Sequence, residues 1–238
     1  GYVGHTIQAI PTLERYDASR TGGYGALYGD VVNLYNPLGM VDDNLMNRYS
    51  DNVKIYANAY VSVEFMKGLK YKLNLTPDFQ FYRYNSYLGL YDYGLNKNDI
   101  TQVTEQQTRT RNVLVENLLT FDRTFGDHKI SVLAGYTYQD SRYRYMQGSG
   151  QGMPTGIREI DAAAQGLAVS GNSNRSVLTS ILGRAFYSYK NRYLLTATIR
   201  RDGSSKFGSN NRYGNFPSFS AGWNIAEEDF VKNNVSWL

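Results

Sequence analysis

Cysteine is absent from these 238 residues, and histidine occurs only twice, at His5 and His128. Two imidazoles without a thiol make no zinc ligand set. A chain without cysteine also suits a compartment in which stray thiols would oxidise. Long hydrophobic runs are missing too. With 42% hydrophobic residues and a mean hydropathy of −0.48, no stretch reaches the ~18 apolar residues that a transmembrane helix needs. Charge is balanced at +4, with a pI near 9.0, and the basic residues are spread along the chain instead of lining one stripe. That argues against a nucleic-acid surface. No N-terminal targeting stretch is present in these residues, and no nucleophile stands near an acid–base pair, so enzymatic activity is not expected and no cofactor is implied.

What the chain has instead is tyrosine, 22 of them beside 23 glycines, and long alternation. From Val53 to Phe65 the odd positions Val53, Ile55, Ala57, Ala59, Val61, Val63 and Phe65 are apolar, while Lys54, Asn58, Ser62 and Glu64 lie between them. After Lys67-Gly68 the pattern repeats, with Leu69, Leu73, Leu75, Phe79 and Phe81 against Lys70, Lys72, Asn74, Asp78 and Gln80. Side chains of a strand point alternately to opposite faces, so each strand has one apolar and one hydrophilic face. Soluble strands run about 5–6 residues. These are at least twice that, enough for the roughly 9–11 residues with which a tilted strand crosses a bilayer. Every backbone polar group in lipid must be paired within the protein, so a barrel is the remaining way to span. Further strands are expected over 108–125, 129–145, 175–189, 193–201 and 213–225, with another beginning at Val235-Ser236-Trp237-Leu238.

The expected fold class is all-β: about seven strands of a large antiparallel transmembrane β-barrel, an open curved sheet in this chain. Residues 1–52, with turn chemistry at Gly22-Gly23 and Asn36-Pro37, read as an irregular extracellular loop segment, and 53–238 as the partial barrel. Turns near 67, 126 and 190 are short, whereas 86–107, 147–174 and 202–212 read as long polar loops. Outer-membrane barrels keep short turns on the periplasmic side and long loops outside. Pro77 interrupts a strand that should be paired on both sides, so a bulge is expected there. A short helical turn is expected over 226–231.

Candidate sites are few. Gly148, Gly150 and Gly152 mimic a phosphate loop but lack the helix that must follow. Asn96, Asn98, Asp99 and Glu105 have calcium-like oxygens without calcium-loop spacing. Flat rings with a hydroxyl are suited to sugar or peptide contact. Tyr82, Tyr84, Tyr87, Tyr91, Tyr93, Tyr143 and Tyr145 are the candidate substrate-contact residues, weighed against plain girdle or loop packing. Arg200, Asp202, Gly203, Ser204 and Ser205 form a compact polar motif whose simpler reading is a tight loop closed by side-chain to backbone bonds.

That motif carries a resemblance. Arg200-Arg201-Asp202-Gly203-Ser204-Ser205-Lys206-Phe207-Gly208, then Phe216-Pro217-Ser218-Phe219-Ser220-Ala221-Gly222-Trp223, then Glu227-Glu228-Asp229-Phe230, resembles the SusC/RagA family of TonB-dependent outer-membrane transporters. Leu133 to Gln139 and Gly183-Arg184 resemble other strands of that family. The resemblance implies an internal piece of a barrel of roughly 22 strands. It also implies active import of glycans or peptides, energised by a TonB complex through an N-terminal part that lies outside this sequence, with a SusD-like surface lipoprotein as lid and an integral position in the outer membrane. A passive outer-membrane pore or surface adhesin with the same wall is the alternative. A soluble β-rich module is disfavoured because the hydrophilic faces are too long for a compact sandwich.

Overall fold

The computed structural model describes residues 2–9, 11–26 and 35–232. Ten strands run in chain order: β1 (Met46–Tyr56), β2 (Ala59–Met66), β3 (Leu69–Leu88), β4 (Tyr91–Tyr93), β5 (Asn96–Asn98), β6 (Gln102–Phe125), β7 (His128–Gln151), β8 (Gln165–Tyr189), β9 (Tyr193–Ser204) and β10 (Tyr213–Trp223). The large sheet has the order β1-β3-β6-β7-β8-β9-β10, with β2 also paired to β3, while β4 and β5 form a small hairpin. The order does not close on itself, so the antiparallel sheet is open, as the alternation implied. Three short helices, α1 (Tyr2–Gln8), α2 (Pro37–Met40) and α3 (Asp229–Lys232), lie outside it. The strand expected from Val235 falls outside the described residues.

Two compact units are distinguished by their internal packing. One comprises residues 1–53, 80–109 and 144–173, the other 54–79, 110–143 and 174–238. In the second unit the expected two-residue turns are all present. Gly68 sits at φ +85°, and a Cβ there would lie 2.2 Å from the Asp122 carbonyl oxygen, so only glycine fits. Lys190 and Asn191 take φ of 50° and 54°, and the Arg192 N–H closes the turn on the Tyr189 carbonyl at 2.9 Å. Two consecutive left-handed residues are the signature of a type I′ hairpin, whose twist matches that of the strands it joins.

The register of β8, β9 and β10 shows how the alternation is used. Rows of directly opposed residues read Tyr189, Tyr193, Trp223; then Tyr187, Leu195, Ala221; then Ala185, Ala197, Phe219; then Gly183, Ile199, Pro217. The interleaved rows read Phe186, Thr196, Ser220 and Arg184, Thr198, Ser218. The first set forms one apolar face and the second a polar one. Ile181, Leu195, Ile199, Phe219 and Trp223 are all exposed, Phe219 by 80%. Shallow grooves along this face are lined by Val132, Ala134, Ala185, Leu195, Ala197 and Phe219. On β8 the face runs from Ile181 to Tyr189, eight residue steps, about 27 Å along the strand and about 20 Å in depth at a tilt near 40°. That is close to the ~25 Å apolar band of an outer-membrane barrel.

Pro77 acts on its neighbour. β3 runs through it unbroken, and the partner is interrupted instead, at Ala57-Asn58 between β1 and β2. The Ala57 N–H still reaches the Pro77 carbonyl at 3.1 Å, but proline has no N–H to return the bond. The Asn58 amide turns to Asn74 Oδ1 at 2.9 Å and Thr76 Oγ1 at 2.7 Å. In the β2–β3 ladder the register shifts elsewhere, between Glu64 and Met66.

The expected long loops are mostly strand and packed structure. Where 86–107 was read as a loop, β3 extends to Leu88, β4 and β5 make a hairpin, and β6 begins at Gln102. Within 147–174, β7 extends to Gln151 and β8 begins at Gln165, with one 3-10 turn at Ile160–Ala162 between them. β9 likewise runs on to Ser204. The leading segment 1–52 is not irregular throughout, since it holds α1, α2 and the start of β1. These strand extensions are mostly polar or small, with apolar residues such as Tyr87 and Val103 only scattered among them, so they leave no sustained period-two signal to read.

Two clusters form the core of the first unit. Leu45, Tyr91 and Tyr93 are buried together, with Tyr24, Tyr35, Met46 and Leu88 against them. Tyr87, Val103 and Met153 form the other, covered by Ile160, Ala162 and Ala163. Asn36 ties the leading segment down: its amide donates to the Glu14, Arg15 and Gly25 carbonyls, and its Oδ1 caps α2 at the Leu38 N–H.

Candidate functional site

The polar face of the second unit is the surface a hydrated solute could meet. On β3 and β6, Asn74 donates to Glu116 Oε2 at 2.8 Å and accepts from Asn58, so amides and a carboxylate form a chain across three strands. A polar recess between β6, β7 and β8 is lined by Thr120, Asp122, Lys129, Ser131, Arg184 and Phe186. Their charges and hydroxyls come from residues two apart on each strand, the spacing that puts side chains on one face.

The tyrosine candidates divide by burial. Tyr87, Tyr91 and Tyr93 are 3%, 6% and 2% exposed, which leaves no ring face for a ligand. Tyr91 and Tyr93 stack on one another at 4.8 Å, and Tyr35 meets both edge-on. Gly39 makes room for this cluster, since a Cβ there would collide with the Tyr93 hydroxyl. The Arg158 guanidinium covers the Tyr87 ring at 5.1 Å while donating to the Asp43 carbonyl at 2.6 Å. Burial raises the Tyr91 phenol to about 12, and burial together with its bond to Asp42 raises Tyr24 equally. These rings therefore pack as core. Tyr82 and Tyr84 are half-buried on β3, Tyr143 is exposed, and Tyr145 donates to Gln147 Oε1. These four keep the surface a ligand would need.

The Arg200 motif is knit into the sheet. Arg200 Nε donates to Asp202 Oδ1 at 2.7 Å, and its Nη2 reaches Ser180 Oγ at 3.3 Å. Gly203 has no side chain because the Tyr213 ring crosses it, 2.4 Å from where a Cβ would be. The Ser204 N–H donates to the Arg212 carbonyl, and Ser204 Oγ accepts from the Lys206 N–H. Ser205 pairs with Val177 of β8 twice, its N–H on the Val177 carbonyl at 2.9 Å and its Oγ accepting the Val177 N–H at 2.8 Å. A hydroxyl thus replaces a carbonyl at the end of the ladder. The whole motif is occupied in closing the β9–β10 connection.

Chemistry-bearing alternatives also resolve into structure. Gly148 and Gly150 lie within β7, and a Cβ on Gly150 would lie 2.6 Å from the Ala163 Cβ, so they permit close packing instead of forming a phosphate loop. Asn98 spends its amide on the Gly89 and Ile100 carbonyls, and Asp99 pairs with Lys97 at 2.9 Å. Among the described residues no group of three His, Cys, Asp or Glu side chains could hold a metal. His128 stacks near Tyr189 and bonds Tyr187 Oη at 2.7 Å, while the His5 side chain lies outside the description.

One cluster that sequence reasoning passed over stands after β10. Glu228 Oε1 accepts from Tyr193 Oη at 2.7 Å and Trp223 Nε1 at 3.0 Å, and its Oε2 accepts from Arg192 Nη1 at 3.0 Å. Asp229 takes the other arm of Arg192 at 2.6 Å. Bonds from Tyr193 and Trp223, and then the Arg192 charge, hold the Glu228 carboxyl below the ordinary glutamate range. The acidic pair was visible as motif, but Tyr193 and Arg192 are 35 and 36 residues from Glu228 and reach it only through the antiparallel pairing of β9 with β10, which sets Tyr193 opposite Trp223.

No family model matches the chain. Individual relatives do. It is 32% identical over 242 residues to TonB-dependent receptor P3 of Formosa agariphila, an alignment covering 98% of this chain and 23% of that protein. It is 28% identical over 210 residues to the TonB-dependent receptor SusC of Bacteroides thetaiotaomicron, covering 87% of this chain and 19% of SusC. The structure of the RagAB peptide transporter superposes with a TM-score of 0.78 over 89% of this chain and 24% of that one, at 18% identity. The chain is a SusC/RagA-like β-barrel segment. It spans about a quarter of the length of the curated relatives it matches. The RagAB likeness carries the fold, and the sequence relatives carry the kinship of this SusC/RagA-like segment with TonB-dependent receptors.

Proposed function

We propose that this chain is wall from the barrel of an outer-membrane transporter that imports glycans or peptides under TonB control. The observation that carries the reading is the paired register of β8, β9 and β10, which sorts an exposed apolar face from a hydrogen-bonding one over the depth of a bilayer. The apolar face meets lipid and the polar face lines the lumen, with the short turns at 67, 126 and 190 periplasmic. Energy would reach this wall from a TonB complex acting on other parts of the protein, and a SusD-like lipoprotein would close the mouth above the long connections. One protein of similar structure, RagAB, is a peptide transporter, and SusC is a relative by sequence. Both substrate classes therefore stay within the proposal. Tyr82, Tyr84 and Tyr143 are proposed as contacts for such a solute, because their rings are accessible and carry hydroxyls.

The test is uptake by cells carrying the full-length gene, with and without a functional TonB. Accumulation of labelled oligosaccharide or oligopeptide that requires TonB supports active import. Accumulation that persists without TonB identifies a passive pore, and none of either solute in TonB-positive cells rejects the transport reading.

A further inference from the structure

Beyond the apolar rows, the lipid-facing side of the second unit changes character abruptly. On β9 the position after Ile199 on that face is Arg201, and on β7 the positions after Tyr138 are Asp140 and Arg142. On β8 the same face reaches Arg175, and on β6 Arg111 follows Val113 outward. All four arginines are exposed, and no lysine stands among them. Asp140 organises two of them. Arg142 Nε and Nη2 both bond its carboxylate, at 3.2 and 3.0 Å, and Arg175 Nε and Nη2 bond it as well, each at 3.1 Å. The Asp140 side chain is only 11% exposed, against 47% for Arg142 and 55% for Arg175. One carboxylate fixes two guanidinium planes and leaves a positive charge over, with Nη1 of each outside those bonds. The Arg201 guanidinium sits over the Tyr213 ring, 4.8 Å from its centroid.

We infer that Arg142 and Arg175, joined by Asp140, and Arg201, which stands opposite Ile181 six positions nearer the apolar band, take separate phosphates of one anionic membrane lipid at the outer rim of that band. The inference rests on the outer-membrane reading above. Three features of the site argue for it. The face is continuous with the lipid-facing rows, so whatever meets Ile199 and Phe219 by its acyl chains meets Arg201 by its headgroup. The residues are arginines, whose forked donors match phosphate oxygens two at a time, where lysine offers a point charge. And Arg142 and Arg175 are already held by Asp140, with Arg201 resting over the Tyr213 ring, so little side-chain entropy is lost on binding. A solvated surface would not need a buried carboxylate to orient its cations.

The experiment uses the full-length transporter purified in detergent and presented with phosphatidylcholine vesicles, with or without diphosphoryl lipid A, or with lipid A stripped of its phosphates. Wild-type protein should retain diphosphoryl lipid A through washing, whereas R142Q/R175Q/R201Q should bind it at least about tenfold more weakly. The lumen-facing control R184Q should bind as wild type, and heat-modifiable migration on gels shows that each variant is folded. Phosphate-free lipid A should bind wild type and triple variant alike. Equal retention of diphosphoryl lipid A by wild type and triple variant overturns the site, as does equal loss in R184Q. A triple variant that keeps the lipid but no longer co-purifies with a surface lipoprotein assigns this face to protein instead and also overturns it. Failure of the wild type to insert into any vesicle would instead count against the outer-membrane reading itself.

Discussion

On the face that otherwise carries Leu73, Leu75, Val115 and Leu119, Tyr71 donates to Asn117 Oδ1 at 2.7 Å. On the face proposed to meet lipid, a polar pair survives because each member satisfies the other, and removing one would leave an amide without a partner where water could not replace it. Tyr71→Phe should therefore destabilise the full-length barrel by about 1 kcal/mol in refolding titrations, and adding Asn117→Leu should recover most of that loss. Additive losses in the double variant would mean the pair does not face lipid. Glu228 makes a different test. Its carboxyl is held below the ordinary glutamate range of about 4.3. A lowered pKa in the folded state contributes stability above that range, and the contribution is lost as pH falls through the lowered value. Glu228→Gln should be less stable than wild type at neutral pH, and the gap should close as the medium is taken below about pH 4. A gap independent of pH would show that shape alone, not charge, holds the Tyr193, Trp223 and Arg192 cluster.

At the level of strands, what could be read from sequence was whatever lies in contrast between two solvents. Val53 to Phe65 and Leu69 to Phe81 advertise their hairpin because one face must be apolar and the other must not. The short turns were equally plain, since Gly68 and Asn191 are of the types that positive φ favours. In the outer parts of β6 and β8 polar and small residues fall on both faces, the contrast fades, and residues such as Gln102 to Gln107 or Gln165 to Asn174 look like loop while pairing as strand. Pro77 shows a second limit: its effect falls on Ala57 and Asn58 of the partner, which a reading along one strand cannot anticipate. The tyrosines were the hardest. Tyr91 and Tyr93 look like Tyr82 and Tyr84 in sequence, and only the arrival of Leu45 and Tyr35 from the leading segment makes them core. The facing of β9 has a direct check. Ala197 sits mid-band on the apolar face, and Thr196 beside it on the polar one. Ala197→Arg should cost roughly 2–4 kcal/mol and Thr196→Arg much less, measured by folding of the full-length protein into lipid vesicles. Equal costs would dismiss the assignment of faces.

For the molecule as a whole, the strand order ends at β1 on one side and β10 on the other, and β10 pairs with β9 along its entire length through eleven register positions. The far edge of β10 is thus a row of backbone donors and acceptors next to Phe216, Phe219 and Trp223, all exposed. In the longer relatives, about four times this length, further strands are available to meet such edges. Backbone groups unpaired in hydrocarbon cost several kcal/mol each on an order-of-magnitude scale, and a long, flat, apolar edge in water templates association with other chains. Residues 1–238 expressed by themselves should therefore be recovered as inclusion bodies or detergent-dependent aggregates and should not form a closed pore. Reconstituted into a planar bilayer after detergent refolding, the monomeric chain should give no discrete conductance steps. Steady unitary conductance from a monomer would show that β1 and β10 can find each other. The sheet would then be a complete small barrel, and the similarity to a quarter of a large transporter would reflect shared strands, with no shared architecture behind it.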